Sequence, residues 1–336
     1  MMSEHIMEDL LVTLLQLAAE KHVSDIHFVW EKQRLSIEFR TMFGMQPLHQ
    51  DIWNGEFFSY LKYRAKLDLT HPQKPQSGQF DIRLHDQTLY CRFSTILNQN
   101  MQTGVLRILH TEGVMTIDQL TDDPRPVRMM RELCHYRQGL VVAIGPTNTG
   151  KTTTLHAMLH EIASAHRFKI VSLEDPIEIE DESYIQLQIN EAQGFTYEKG
   201  IEELLRHDPD IIFIGEIRSA YTAKMVIRAA LTGHFVFTTL HAKNCLEGIQ
   251  RFYNFGLTKY DLTNTLTALI AQRLYACDQK GGKQCIYEIL SKQDLRYALE
   301  QGAYPAGFET LEKEIRRALA EDRICDPQAV YDVQSF

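Results

Sequence analysis

The chain has 336 residues and a formal net charge of −9 at pH 7, and 44% of its residues are hydrophobic and 24% charged. This composition is typical of a folded globular protein and argues against disorder and against a coiled coil. The length predicts two domains. The acidic balance argues against a protein that wraps the phosphate backbone of nucleic acids, because clustered lysines and arginines supply that binding.

The sequence also argues against a membrane-spanning protein and against a secreted protein. No apolar run reaches the roughly 18 residues that a membrane-spanning helix requires, and the N-terminus lacks the basic flank of a signal peptide. We therefore expect a cytoplasmic chain.

The six cysteines include no Cys-x-x-Cys pair, so free thiols and no zinc are expected. The nearest approach to a metal-ligand pair is Cys277 with Cys285, whose spacing is wider than that of the usual ligand pairs.

Helical and strand patterns alternate over the first hundred residues. Apolar positions that recur every three or four residues predict helices, and alternating positions predict strands. This order predicts a small α+β domain over residues 1–112. Its predicted elements are a helix at 8–21, strands at 26–29 and 35–39, a helix at 53–67, a hairpin from 79–84 and 88–95, and a strand at 105–109.

The pattern changes after residues 113–126, a segment with Gly113, two prolines and an acidic pair that is predicted to be a linker. Short apolar runs then alternate with helical stretches. Such an order predicts βαβ units, a mostly parallel sheet and the α/β class for residues 127–336, with a helical C-terminal part. The predicted strands are 140–144, 169–173, 211–214 and 235–239.

The strongest motif is Gly-Pro-Thr-Asn-Thr-Gly-Lys-Thr at residues 145–152, which fits G-x-x-x-x-G-K-[ST] in full. A predicted strand precedes it and a helical stretch follows. In this arrangement the backbone N–H groups of a glycine-rich loop converge on phosphate oxygens at a helix N-terminus. We expect ATP and Mg²⁺ there, with Lys151 on the β- and γ-phosphates and the Thr152 hydroxyl on Mg²⁺. The predicted nucleotide-binding residues are Gly145, Pro146, Thr147, Asn148, Thr149, Gly150, Lys151, Thr152 and Thr153.

Acidic residues follow the strand predicted at 169–173. In an open parallel sheet, ligands bind beyond the carboxyl ends of the strands. Glu174 and Asp175 are therefore candidates to support Mg²⁺ and the attacking water, with Glu174 acting on the metal directly or through water. A solvated acidic turn is the alternative interpretation.

A second carboxylate, Glu216, follows the buried strand at 211–214. The segment resembles a Walker B strand in which Gly215 stands in place of the usual aspartate, so Glu216 is the candidate to orient or deprotonate the attacking water. His234 and His241 flank the next strand. They are candidates to bind phosphate or to couple Glu216 to its neighbours, and a purely structural role is the alternative for each.

Together these segments resemble the secretion ATPases of type II secretion, type IV pili and competence pseudopili. Further landmarks are Ser-Asp-Ile-His at 24–27, Arg-Phe-Ser-Thr at 92–95, Gln-Arg at 272–273 and Tyr-Glu-Ile-Leu at 287–290. The four main matching segments are residues 145–154 (Walker A), 173–178 (the Asp box), 205–218 (around Walker B) and 232–241 (the His box).

The resemblance implies a homohexamer whose subunit has a RecA-like P-loop ATPase domain and a smaller N-terminal α+β, PAS-like domain. It also implies that arginines of the N-terminal domain complete the nucleotide site. Arg92 and Arg107 occupy the matching positions, and a guanidinium fork suits the charge that develops on the γ-phosphate. Arg218, which ends the Gly-Glu-Ile-Arg segment, completes the predicted catalytic set of Glu216, Glu174, Asp175, His241, His234, Arg92, Arg107 and Arg218.

Three departures refine the resemblance. Ser219 stands where the family usually has an aspartate, a tetracysteine insertion after Leu274 is missing, and residues 311–318 match the retraction-type segment poorly. The missing insertion and the poor match to the retraction-type segment, together with a short N-terminal region, resemble the competence-type subgroup, whereas Ser219 puts a role of the usual carboxylate in doubt. The resemblance to this subgroup implies a motor at the inner face of the cell membrane that assembles a pseudopilus for DNA uptake, with a polytopic membrane platform protein as partner, prepilin-like subunits as indirect partners and no direct nucleic-acid binding. A retraction or type II secretion ATPase and a regulatory nucleotide-binding module with vestigial hydrolysis are the alternatives.

Overall fold

The computed structural model describes residues 4–21, 23, 25–41, 44–49, 52–71, 74–84, 87–98, 101–109, 114–190, 193–277 and 282–335. The chain divides into two compact units, Met1–Glu112 and Gly113–Phe336, called here the N-terminal and the C-terminal unit. The predicted hairpin turn at 85–86 and the first residue of the predicted linker, Gly113, lie outside the described residues. Within the described part of the chain, no helix is long and apolar enough to cross a membrane.

The N-terminal unit contains a six-stranded antiparallel sheet with the strand order β3-β2-β1-β6-β5-β4. The predicted hairpin is confirmed, since β4 pairs antiparallel with β5 from Gln76↔Thr95 to Leu84↔Gln87. The elements of this unit are α1 (Glu4–Glu20), β1 (Asp25–Glu31), β2 (Arg34–Thr41), β3 (Gly44–Pro47), α2 (Gly55–Arg64), β4 (Gln76–Leu84), β5 (Gln87–Asn98) and β6 (Met101–Leu109).

Alternation along the strands places an apolar face of this sheet against both helices. At the centre of this interface, Phe28 and Phe93 of the sheet contact Phe58 of α2. Their ring centroids lie 5.7–6.2 Å apart, a separation at which tilted and edge-to-face pairs are favourable. α2 begins after Asn54, whose side-chain oxygen accepts hydrogen bonds from the backbone N–H groups of Glu56 and Phe57. The unit thus has a core of its own, formed by α1, α2 and one face of the sheet.

The C-terminal unit contains a seven-stranded sheet with the order β13-β12-β7-β11-β10-β8-β9. Every neighbouring pair is parallel except β12 with β13, which confirms the predicted α/β class. The elements are a 3-10 helix (Ile117–Gln119), α3 (Pro124–Leu133), β7 (Gly139–Ile144), α4 (Lys151–Ala163), β8 (Ile170–Glu174), β9 (Ile185–Gln188), α5 (Tyr197–Leu204), β10 (Ile211–Ile214), α6 (Ala220–Leu231), β11 (Phe235–Leu240), α7 (Cys245–Asn254), α8 (Lys259–Thr265), β12 (Leu266–Ala276), β13 (Lys283–Ser291), α9 (Lys292–Gln301), α10 (Leu311–Ala320) and α11 (Pro327–Ser335).

Helices cover both faces of this sheet, as a mostly parallel sheet requires. Leu140, Val142 and Ile144 of β7 pack in the core with residues of α5 to α11, whereas Val141 and Ala143 pack in a second core with α3 and α4. The strands are therefore apolar on both sides. This explains why four of them could be predicted as continuous apolar runs.

The described part of the predicted linker, residues 114–126, is packed rather than free. Ile117 is completely buried in the core that α3 and α4 form. The Asp123 carboxylate accepts a hydrogen bond from the backbone N–H of Arg125 and caps α3, which begins at Pro124. These residues therefore belong to the C-terminal unit.

Candidate nucleotide-binding site

The loop between β7 and α4 has the backbone conformation of a phosphate-binding loop. Asn148 and Gly150 adopt left-handed conformations, with φ of 63° and 82°. α4 begins after Gly150, which has no side chain to accept the first N–H groups of the helix, whereas Ser219 and Asn244 cap α6 and α7 in that way. The free N–H groups and the helix dipole favour an anion at the start of α4.

One hydrogen bond within this loop and one from β12 hold its backbone. The Thr149 hydroxyl donates to the Pro146 carbonyl at 3.0 Å, and the Gln272 amide donates to the Thr149 carbonyl at 2.7 Å. A Cβ atom at Gly145 would lie 2.5 Å from the Thr149 hydroxyl oxygen, so only glycine fits there. The Cys285 thiol also lies against the loop, with Sγ 3.8 Å from the Thr149 carbonyl oxygen.

Lys151 is buried at the start of α4, and its ammonium donates to the Pro146 carbonyl at 2.6 Å. Burial lowers the pKa of Lys151 to about 8, while the carboxylates of Glu216 and Glu178 act in the opposite direction. The Pro146 carbonyl thus accepts the hydrogen bond that the Lys151 ammonium would donate to a phosphate oxygen of a bound nucleotide. Glu216 follows β10, and β10 and β7 both pair parallel with β11, so Glu216 lies at the same edge of the sheet as the loop.

A cluster of charged side chains lies at the carboxyl ends of β8, β10 and β11. His241 Nε2 lies 3.0 Å from Glu216 Oε1, and Arg218 Nε donates to Glu216 Oε2 at 2.8 Å. Arg218 also forms an ion pair with Asp175 at 3.5 Å. Burial and the nearby charge of Lys151 lower the pKa of His241. Four predicted site residues are therefore brought together, and the neutral form of the imidazole is favoured.

Residues 1–325 match the family described as "Type II/IV secretion system protein". The chain belongs to this family.

Similar members of this secretion family include "Competence protein ComGA" of Bacillus subtilis (strain 168), which is 31% identical over 88% of this chain and 89% of its own length. "Competence protein ComGA" of Halalkalibacterium halodurans is 33% identical over 94% and 96% of the two chains. "Type II secretion system protein E" of Dickeya dadantii (strain 3937) is 34% identical over 79% of this chain, but the match covers 54% of that protein.

Two solved structures of ATPases share the fold. The ATPase DotB of Legionella pneumophila superposes with a TM-score of 0.78 at 19% identity, and the match covers 98% of this chain and 96% of that one. The pilus retraction motor PilT with bound ADP superposes with a TM-score of 0.73 at 24% identity, over 96% of each chain. The secretion ATPase fold, predicted from the motifs, is therefore confirmed.

Glu174, predicted to support Mg²⁺, is placed differently from the other acidic residues of this secretion ATPase. Its side chain is 2% exposed and accepts hydrogen bonds from Ser172 at 2.7 Å and Gln186 at 3.1 Å. His156 Nε2 lies 3.2 Å from its other oxygen, and the Tyr184 hydroxyl contacts the second nitrogen of that imidazole. Protein groups thus engage both of its carboxylate oxygens, and its role toward Mg²⁺, directly or through water, stays a prediction.

His234 also lies apart from the cluster. It precedes β11, whereas His241 follows it, so the six-residue strand separates the two histidines by about 20 Å. His234 Nδ1 lies 3.0 Å from the Ala229 carbonyl and 3.0 Å from the Thr232 hydroxyl, at the end of α6. These contacts suit a role in ending α6, and a catalytic role of His234 stays a prediction.

Three residues of the site were not given a role by the sequence. Gln272 holds the loop, and its Oε1 is one of the buried side-chain atoms without a partner in the described part of the chain. Arg273 donates to the carbonyls of Gln272 at 2.9 Å and of Lys243 at 3.0 Å, two residues after His241. Glu178 acts electrostatically on Lys151. In the sequence, these three residues were marked only by lying in segments that resemble the secretion ATPases.

Arg92 and Arg107 lie in the N-terminal unit, opposite each other on the paired strands β5 and β6. Among residues whose placement is described, no group of three or more His, Cys, Asp or Glu side chains is arranged to hold a metal ion. A P-loop Mg²⁺ does not require such a group, because phosphates and water supply most of its ligands.

Proposed function

We propose that this secretion ATPase hydrolyses ATP with Mg²⁺ and, as a homohexamer, drives assembly of a competence pseudopilus for DNA uptake. The observation that carries the proposal is the contact of Glu216 with His241 at 3.0 Å, because it places a carboxylate at the strand ends around an intact phosphate-binding loop. Two relatives that match most of this chain are named as competence proteins, which supports the pathway.

The nucleotide would be held by groups of this chain that suit its charge. The N–H groups at the start of α4 and the Lys151 ammonium would bind phosphate oxygens, and the Thr152 hydroxyl would hold Mg²⁺. The loop backbone from Gly145 to Gly150 fits this task because its conformation depends on glycines. The metal supplies charge that stabilises the transferred phosphoryl group.

Glu216 is the proposed base that orients the attacking water and takes up its proton. His241 Nε2, on an imidazole whose neutral form burial favours, lies 3.0 Å from Glu216 Oε1, while Arg218 donates to Oε2. Both contacts fix the orientation of the carboxylate. Asp175 in turn holds Arg218, so its proposed role is to position that guanidinium.

The N-terminal unit is proposed to supply Arg92 and Arg107 to a bound nucleotide. Their guanidinium groups would neutralise charge that develops on the γ-phosphate. A polytopic membrane protein is the proposed platform partner, with prepilin-like subunits as indirect partners, and the protein would act at the inner face of the membrane. The acidic net charge of −9 suits a motor that does not bind DNA itself.

The test is phosphate release by the purified full chain. We expect Lys151→Ala and Glu216→Gln each to lower kcat at least about 100-fold, because they remove the phosphate cation and the base. Lys224→Ala and Glu300→Gln, both at exposed helix positions, are matched controls that keep the wild-type rate. Wild-type turnover in Glu216→Gln would contradict the proposal.

A second candidate, a regulatory module that binds ATP without turnover, is motivated by Gly215 and Ser219. The Ser219 hydroxyl accepts the backbone N–H of Thr222 at 3.1 Å and caps α6. Aspartate and serine are comparable caps, so this departure does not by itself indicate lost activity. ATP binding with negligible turnover at every protein concentration would favour the regulatory module.

The pathway is tested in cells that naturally take up DNA. Deletion of the gene should abolish transformation, and wild type but not Glu216→Gln should restore it. A retraction motor predicts the opposite phenotype for fibres, since they would persist on deletion and disappear on expression. A type II secretion ATPase would leave transformation intact and block export of secreted proteins.

A further inference from the structure

A row of charged side chains crosses the sheet of the N-terminal unit. Strand pairing places Arg40 opposite Asp25, Asp25 opposite Arg107, and Arg107 opposite Arg92. Directly paired residues point to the same face of a sheet, so these four side chains share one face. The neighbouring positions, which point to the other face, belong to the apolar core of the unit. The row therefore lies on the face away from that core.

Asp25 is buried within this row. Its side chain is 3% exposed, and a buried carboxylate is costly unless it is paired and hydrogen-bonded. Asp25 Oδ1 accepts a hydrogen bond from Arg107 Nε at 2.8 Å. The Arg107 side chain remains 43% exposed. A fixed, buried anion thus holds the inner part of a guanidinium whose outer part is accessible.

Arg92 is held in the same manner by a neutral partner. Its Nε donates to the Ser77 hydroxyl at 2.9 Å, and that hydroxyl lies 2.9 Å from the hydroxyl of Ser94 on the paired strand. In both arginines the bond is made through Nε. The Nη1 and Nη2 groups form the outer edge of the fork, which matches two phosphate oxygens.

The position of Asp25 also reduces the electrostatic repulsion between Arg92 and Arg107. Residues directly opposite on antiparallel strands have Cα atoms about 4.5–5.5 Å apart, so the Arg92 and Arg107 cations lie on neighbouring positions of one face. Like charges in such pairs are destabilising. The carboxylate of Asp25 beside Arg107 reduces this repulsion and restricts the rotamers of that side chain.

We propose that Asp25 and Ser77 are positioning residues that fix Arg107 and Arg92 for contact with nucleotide phosphate. The inference rests on the proposed function, in which these two arginines act on bound ATP. Asp25 is assigned to Arg107 by an ion pair and Ser77 to Arg92 by a hydrogen bond. Neither residue touches the nucleotide itself.

The test uses the full chain with Asp25→Asn and Ser77→Ala. Because small misplacements of catalytic groups are costly, we expect Asp25→Asn to lower kcat about 10- to 100-fold and Ser77→Ala about tenfold. The Kd of a fluorescent ATP analogue should change less than about threefold, since the phosphate-binding loop is untouched. Asp81→Asn, an exposed aspartate of β4 in the same sheet, is the matched control and keeps the wild-type kcat.

A double variant separates positioning from a general structural effect. Asp25→Asn should slow the Arg107→Ala protein no further, because the group that it positions is already absent. Independent, multiplicative losses would overturn the inference. Circular dichroism gives the folded fraction, and if Asp25→Asn is partly unfolded, the cycle of Ser77→Ala with Arg92→Ala provides the same test.

Failure of the two proposals can be told apart. A wild-type rate in both Arg92→Ala and Arg107→Ala would overturn the role of the arginines in the proposed function. Slow arginine variants combined with wild-type kcat in Asp25→Asn and Ser77→Ala would overturn only the positioning inference.

Discussion

At the scale of single residues, Lys151 shows how burial adjusts a charge for its task. Its pKa of about 8 in the free protein lies well below the usual value of a lysine, because burial disfavours the ammonium. A phosphate anion next to the amine would favour the charged form again and raise the pKa. Binding of ATP at the proposed site would therefore be linked to the uptake of a proton by Lys151.

This linkage predicts that ATP binding takes up protons near pH 8 and weakens as the pH rises above 8. The sign follows because the free protein is partly deprotonated there, whereas the complex holds a protonated Lys151. Titration calorimetry in two buffers of different ionisation enthalpy at pH 8 measures the uptake. Lys151→Arg, which stays protonated, is the control without uptake. An equal heat of binding in both buffers for wild type would contradict the prediction.

At the scale of elements, Glu288 joins β13 to two helices of the C-terminal unit. Its side chain is 1% exposed, and Oε1 accepts the Cys245 N–H at the start of α7 at 2.9 Å and the Tyr304 hydroxyl at 2.6 Å. Oε2 accepts the Leu311 N–H at the start of α10 at 2.7 Å. Helix N-termini favour a negative charge, so a single carboxylate fixes the C-terminal helices to the sheet.

Removal of this carboxylate should destabilise the protein. We expect Glu288→Ala to lower the free energy of unfolding by about 2–4 kcal/mol, because two buried N–H groups and a buried hydroxyl lose their acceptor. Urea unfolding followed by circular dichroism measures the change. Glu300→Ala, at an exposed position of α9, should stay within about 0.5 kcal/mol of wild type. Equal midpoints for the two variants would show that Glu288 contributes nothing to stability.

Some elements could be predicted from the sequence and others could not. β7 and β10 were predicted because buried parallel strands are continuous apolar runs with clear ends. β12 was missed, since it follows α8 without a turn and its apolar run fits a helix or a strand equally well. β9 was missed because its side chains are half-buried or exposed.

Some residues of the candidate site could likewise be predicted from the sequence, and others could not. Glu216 and His241 could be predicted because each follows a buried strand, and parallel strands end at the same edge. The sequence could not decide which of Glu174, Asp175 and Glu178 faces the loop, because the direction of each side chain depends on tertiary packing. Gln272 was marked only as part of a family landmark, because its contact with the loop depends on the pairing of β12 with β7.

At the scale of the whole molecule, the predicted groups for ATP hydrolysis are divided between two units. The phosphate-binding loop and Glu216 lie in the C-terminal unit, and the two arginines lie in the N-terminal unit. We propose that, in the hexamer, the arginines of one subunit act on the nucleotide of another subunit, so that assembly completes each site. Catalysis would then depend on association as well as on folding.

We therefore predict that turnover per subunit falls when the protein is diluted, in parallel with the fraction of hexamer. Sedimentation velocity and phosphate release at matched concentrations measure the two quantities. The loss should be reversible on reconcentration, and Glu216→Gln should assemble without turnover, because assembly does not need the base. Constant turnover across a range in which the hexamer dissociates would contradict the prediction.

The contact of Cys285 with the phosphate-binding loop has a further consequence, for chemical labelling. Its thiol lies behind the loop, next to the Thr149 carbonyl and the Gln272 amide, and burial raises its pKa to about 12. An alkylating reagent can therefore reach Cys285 only when β13 separates from the loop. The rate of modification, resolved by mass spectrometry against exposed Cys325, measures how often the native protein opens at this position, and bound ATP should slow it.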